Sequence, residues 1–124
     1  GRFPGYIQSL NLWHVSLRGT LPSELANLKN LKEIDIAFAF LSGSLASELG
    51  KLKRLRFFRI HSNSLSGSIP SELAHWTALT NFAAEDNSLQ GSIPDFSWTN
   101  LEWMHAASNM FEGSLPTLMG RMRR

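Results

Sequence analysis

The segment Leu65-Ser66-Gly67-Ser68-Ile69-Pro70 recurs five times with substitutions, and no other feature of the chain constrains its fold as tightly. The other copies are Leu17-Arg18-Gly19-Thr20-Leu21-Pro22, Leu41-Ser42-Gly43-Ser44-Leu45-Ala46, Leu89-Gln90-Gly91-Ser92-Ile93-Pro94 and Phe111-Glu112-Gly113-Ser114-Leu115-Pro116. Their glycines stand at 19, 43, 67, 91 and 113, so the steps are 24, 24, 24 and 22 residues. A period in the twenties predicts a solenoid, in which each unit buries its apolar face only against its neighbours. After a lead-in over 1–6 broken by Pro4 and Gly5, the units run 7–30, 31–54, 55–78, 79–100 and 101–124, a single domain of five repeats.

Each unit opens on a strand-like alternation. In the third, Phe58 and Ile60 alternate with Phe57, Arg59 and His61; the matching inward pairs are Leu10/Leu12, Ile34/Ile36, Phe82/Ala84 and Met104/Ala106. The last two pairs join a large residue to a small one, a compensation of volume within one core. Beyond the Gly-x-Ile-Pro turn, Ser23-Glu24-Leu25, Ser47-Glu48-Leu49 and Ser71-Glu72-Leu73 predict short helical turns with a glutamate near the positive N-terminal end. Leu28, Leu52 and Trp76 close those units. The fourth unit is two residues short, and Phe96 is expected to fill its core, with Trp98 as the alternative.

The frame Leu-x-x-Leu-x-Leu-x-x-Asn-x-Leu, continued by Gly-x-Ile-Pro, resembles the leucine-rich repeat family in its plant-type class. The resemblance covers 7–124. It implies an α/β repeat solenoid, a right-handed curved superhelix with a parallel sheet on the concave side, short helical turns on the convex side and extra strand-like segments beside the Gly-x-Ile-Pro turn. The family's asparagine, which bonds backbone groups of adjoining coils, is present as Asn63, Asn87 and Asn109, whereas Val15 and Ala39 stand in its place earlier. An unpartnered buried backbone group costs ~1–3 kcal/mol, so the first two coils are expected to be looser or to rely on water. The terminal coils carry no polar caps and no N-terminal cysteine pair, as in a fragment of a longer array.

Composition narrows the function classes. An apolar content of 43% with 18% charge describes a folded chain, and a formal net charge of +2 gives no footing for nucleic acid. The basic stretch from Lys51 to Arg56 splits between two units and reads as a solvated edge. No apolar run approaches the ~18 residues of a membrane span, so no membrane contact by this segment is expected. With no cysteine, disulfides and thiolate metal sites are excluded. No Asn-x-Ser/Thr sequon occurs, which together with the absent cysteine keeps an intracellular or engineered repeat protein open as an alternative.

The outward strand positions are the candidate ligand face: Trp13, His14, Asp35, Phe38, Phe57, Arg59, His61, Asn81, Glu85, Trp103 and His105. Aromatics among charged groups are typical of interface hot spots, although strand propensity and cross-strand pairing also favour aromatics there. Neighbouring strands lie ~4.8 Å apart, which sets Asp35 beside Arg59 and His61 beside Glu85. His14 and His61, two strands apart, are too distant to share a zinc ion, and no metal or other cofactor is expected. Unperturbed imidazole titrates near 6.5, so these histidines would make the face pH-sensitive or be ordinary exposed residues. No nucleophile elbow, phosphate loop or paired-His motif is present, and no enzyme activity is expected of this chain.

The resemblance implies a non-catalytic recognition scaffold, part of the extracellular domain of a receptor-like kinase or receptor-like protein, which takes a protein or peptide ligand and a co-receptor at the cell surface. Any kinase activity would lie outside this chain. The alternatives are a soluble inhibitor of cell-wall-degrading enzymes and a structural or ice-interacting protein that uses the hydroxyl file Thr20, Ser44, Ser68, Ser92 and Ser114.

Overall fold

The structure, a computed structural model, describes residues 6–92 and 98–112. The expected roles of Phe96, Gly113, Ser114 and the stretch 115–124 lie outside those residues.

The period-2 segments form a parallel sheet with one strand per unit: β1 (Ser9–Asn11), β2 (Glu33–Asp35), β4 (Phe57–Arg59), β6 (Asn81–Ala83) and β8 (Trp103–His105), side by side in that order. The register follows the repeat, with Leu10, Ile34, Phe58, Phe82 and Met104 in one row. Ile34, Ile36, Phe58, Ile60, Phe82 and Ala84 are buried, while Leu10, Leu12 and Met104 in the outer units are half-buried. The Leu-x-Gly segments build a second parallel sheet from β3 (Ser42–Gly43), β5 (Ser64–Gly67), β7 (Ser88–Gly91) and β9 (Met110–Phe111).

The repeated glycine answers two demands. Gly43 has φ +79°, a left-handed conformation, and a Cβ there would approach the Thr20 methyl group to 2.8 Å. The hydroxyl residue of one unit therefore packs under the glycine of the next.

The expected helical turns are 3-10 helices: Ser23–Asn27, Ser47–Lys51 and Ser71–His75. Their first serine does not cap the backbone; its hydroxyl donates to the next glutamate, at 2.9 Å from Ser47 to Glu48. That bond, helped by the backbone N–H of Glu48, holds the Glu48 carboxyl below the usual carboxylate range.

In the shortened fourth unit Trp98, the alternative filler, packs into the core, while Phe96 lies outside the described residues. Trp98 is buried, and the backbone N–H of Leu101 donates to its carbonyl, as Leu79 does to Trp76. Its indole N–H donates to the Leu73 carbonyl at 2.8 Å, repeating the 2.7 Å bond from Trp76 to Leu49. With Phe58 and Phe82 these tryptophans form an aromatic spine, ring centroids 4.7–6.2 Å apart.

The asparagines explain which junction is loose. Asn63 accepts from the N–H groups of Ala39 and Leu41 and donates to the carbonyls of Ile36, Ile60 and His61. It therefore stitches the second coil to the third although Ala39 stands at the second coil's own asparagine position. One and two junctions on, Asn87 and Asn109 accept from the Leu65 and Leu89 N–H groups and donate to three carbonyls each in the same way. Only the first-to-second junction lacks such an asparagine, which corrects the expectation for the second coil. There the Leu17 N–H turns back to the Val15 carbonyl and Arg18 N–H reaches the Ala39 carbonyl. All five described units place one left-handed residue after the first strand (His14, Phe38, Ser62, Asp86, Ser108), but the two units without asparagine add a second, Arg18 and Phe40. A bulky residue at positive φ is a marked departure for an L-amino acid.

Candidate ligand-binding face

The outer side of the five-stranded sheet holds the sequence candidates in three groups. The first is an aromatic file across β1, β2 and β4. Trp13 meets His14 edge-on at 5.0 Å, His14 stacks on Phe38 at 4.5 Å, and Phe38 meets His61 edge-on at 5.4 Å. Trp13 and Phe38 remain 58% and 45% exposed. The positive φ of His14 and Phe38, at the point where each strand turns away, aligns these rings one coil above the next. Together with Asp35 and Ala37 they line a cavity of about 200 Å³.

The second group is ionic. Arg59 lies 3.2 Å from Asp35, as the register requires, and also 3.7 Å from Glu33. Its guanidinium stands 5.1 Å from the centroid of the Phe57 ring, which Arg56 approaches at 5.8 Å. One guanidinium between two carboxylates leaves the Glu33–Arg59–Asp35 triad with a formal charge of −1.

The third group lies toward β8. Glu85 and His61 share a row of the sheet, but the carboxylate of Glu85 is 3.8 Å from Nδ1 of His105, while His61 Nδ1 lies 3.2 Å from the Ser62 hydroxyl. The diagonal neighbour, not the direct one, holds the carboxylate. Asn81 sits between Phe57 and Trp103 in the register. The Asn81 Oδ1 and Glu85 Oε1 atoms are buried without hydrogen-bond partners. Trp103, 46% exposed, lies at the opposite edge of the sheet from Trp13. Among the described residues no three His, Asp or Glu side chains are grouped so as to hold a metal ion.

Sequence reasoning passed over one pair. Phe40 is 59% exposed on the flank of the second coil, with the Arg18 guanidinium 5.0 Å from its ring centroid. The signal was in the frame: both residues occupy the units whose asparagine is missing.

Residues 6–28 and 54–76 match the family model described as Leucine Rich Repeat. No curated protein sequence matches the chain. Solved structures do. The Arabidopsis receptor kinase HAESA, in complex with the peptide hormone IDA and the co-receptor SERK1, is 37% identical with a TM-score of 0.88, over 94% of this chain and 20% of that one. The plant peptide hormone receptor RGFR1 in complex with RGF2 is 35% identical with a TM-score of 0.89, over 95% of this chain and 19% of that one. A plant ice-binding protein is 28% identical with a TM-score of 0.84, over 95% of this chain and 39% of that one. The chain thus spans about a fifth of the length of the receptor structures it matches. No helix among the described residues is long and apolar enough to cross a membrane.

Proposed function

With this chain a member of the leucine-rich repeat family, we propose that it is a non-catalytic scaffold binding a peptide or protein ligand on the open face of its five-stranded sheet. The observation that carries this reading is the exposed aromatic file Trp13–His14–Phe38–His61, set beside a charged cluster. Exposed aromatics in such a setting supply contact area at low entropic cost and dominate the energetics of interfaces. The peptide-bound receptors to which the chain is similar support a place in the extracellular domain of a receptor-like kinase or receptor-like protein, with a co-receptor as second partner and the cell surface as location.

Peptides selected from a displayed random library on the immobilised chain test the reading through amide hydrogen exchange. Binding is expected to slow exchange at the strand ends around 13–14, 37–38 and 59–62. Protection confined to the 3-10 helices would refute the assignment.

A second reading, ice binding, is favoured by the exposed hydroxyls Thr20, Ser44, Ser68 and Ser92 and by the similar ice-binding protein. It differs from the first in requiring inhibition of ice recrystallisation by the chain with no peptide bound.

A further inference from the structure

The charges of this chain are segregated. Of the nine described Asp and Glu residues, Glu33, Asp35, Glu85 and Asp86 occupy open-face positions of the five-stranded sheet; of the eight described Lys and Arg residues only Arg59 does. With neutral histidines the face therefore carries −3 on a chain of formal net charge +2. Adding the rim residues Lys32, Arg56 and Glu102 leaves it at −2. A face of one sign on a molecule of the other raises the local concentration of oppositely charged partners and repels its own kind.

Within that field lies the cavity of about 200 Å³ lined by Trp13, His14, Phe38 and His61, with Asp35 beside them. Aromatic walls with a carboxylate at one side are the chemistry that recognises an organic cation. A guanidinium or ammonium within ~6 Å of a Trp or Phe ring is attracted by the ring quadrupole, most strongly when desolvated. Asp35 shares its single guanidinium with Glu33, so an arriving cation meets uncompensated negative charge.

We infer that the ligand of this face is a basic peptide, one of whose Arg or Lys side chains seats over the Trp13–His14–Phe38 file against Asp35. The inference rests on the binding role proposed above and adds the ligand's chemistry to it.

The test is selection from a displayed random dodecapeptide library encoding equal numbers of basic and acidic residues, followed by titration of the recovered peptides against variants. Enrichment of Arg and Lys over Asp and Glu is expected. Binding should weaken at least tenfold in Trp13→Ala and in Asp35→Asn, and tighten in Arg59→Gln, which removes the competing cation. Circular dichroism of each variant separates lost binding from lost folding. Recovered peptides with no basic enrichment, whose binding still falls in Trp13→Ala, would overturn the cationic assignment and leave the binding role standing. Peptides indifferent to every open-face substitution would overturn both.

Discussion

Trp76→Ala is expected to lower the unfolding free energy by ~3–5 kcal/mol, the range for truncating a large buried aromatic. Trp76 is fully buried, with ring centroids 4.7 Å from Phe58 and 6.2 Å from Trp98, so its loss opens a cavity in the middle of the stack. It also removes the indole N–H from the Leu49 carbonyl, the bond that ties the third coil to the second on the 3-10 side. Trp76→Leu restores the residue type found at Leu28 and Leu52 and should recover much of the apolar term but not the hydrogen bond. Urea denaturation followed by circular dichroism checks both, with the midpoint of Trp76→Leu falling between those of the alanine variant and the unmodified chain. An alanine variant as stable as the parent would contradict the core described here.

Asn63→Ala comes next, with an expected loss of about 2–4 kcal/mol, since each buried backbone group left unpaired costs ~1–3 kcal/mol and water recovers some of them at this half-buried site. Two N–H groups of the second coil lose their acceptor and the Ile36 carbonyl loses this donor, while the Ile60 and His61 carbonyls keep the Asn87 side chain and the Phe38 N–H. Asn63→Asp keeps an acceptor for Ala39 and Leu41 but sets a carboxylate oxygen against the Ile36, Ile60 and His61 carbonyls. It should therefore not rescue the loss. Hydrogen exchange on the alanine variant is expected to quicken first at the amides of Ala39 and Leu41, and a uniform change across all coils would argue against the local stitch.

These two residues also mark how far the sequence could be read. The 24-residue step and the period-2 strands were plain in it, because both depend on local patterning that each unit repeats. Trp98 was harder, because the unit offers two aromatics; its core position goes with the backbone spacing to Leu101, three residues on as Leu79 is from Trp76. The missing asparagines were visible at Val15 and Ala39, but the side chain works on the preceding coil, so their effect falls one unit earlier than its position implies. The open face was legible as a set of positions and not as groups. Alternation assigns Trp13, Phe38, Phe57 and Trp103 to one side of the sheet, yet the left-handed turns at His14 and Phe38 draw Trp13, His14, Phe38 and His61 together and leave Trp103 at the far edge. The partner of Glu85 followed the same logic, since a side chain reaches diagonally as easily as straight across.

In the proposal, scaffold and recognition are thus divided: the inward rows, asparagines and tryptophans hold the coils, and the irregular outward residues are the ones proposed to meet a ligand. Paired measurement of stability and peptide affinity on Trp13→Ala/Phe57→Ala/Trp103→Ala tests that division most directly. Trp13 and Trp103 are exposed and Phe57 is half-buried on the outer side, so the unfolding midpoint should move far less than in Trp76→Ala. Loss of even one hot spot of ~2 kcal/mol weakens binding about 30-fold, and the triple variant is expected to exceed that. Affinity retained in a folded triple variant would contradict the account.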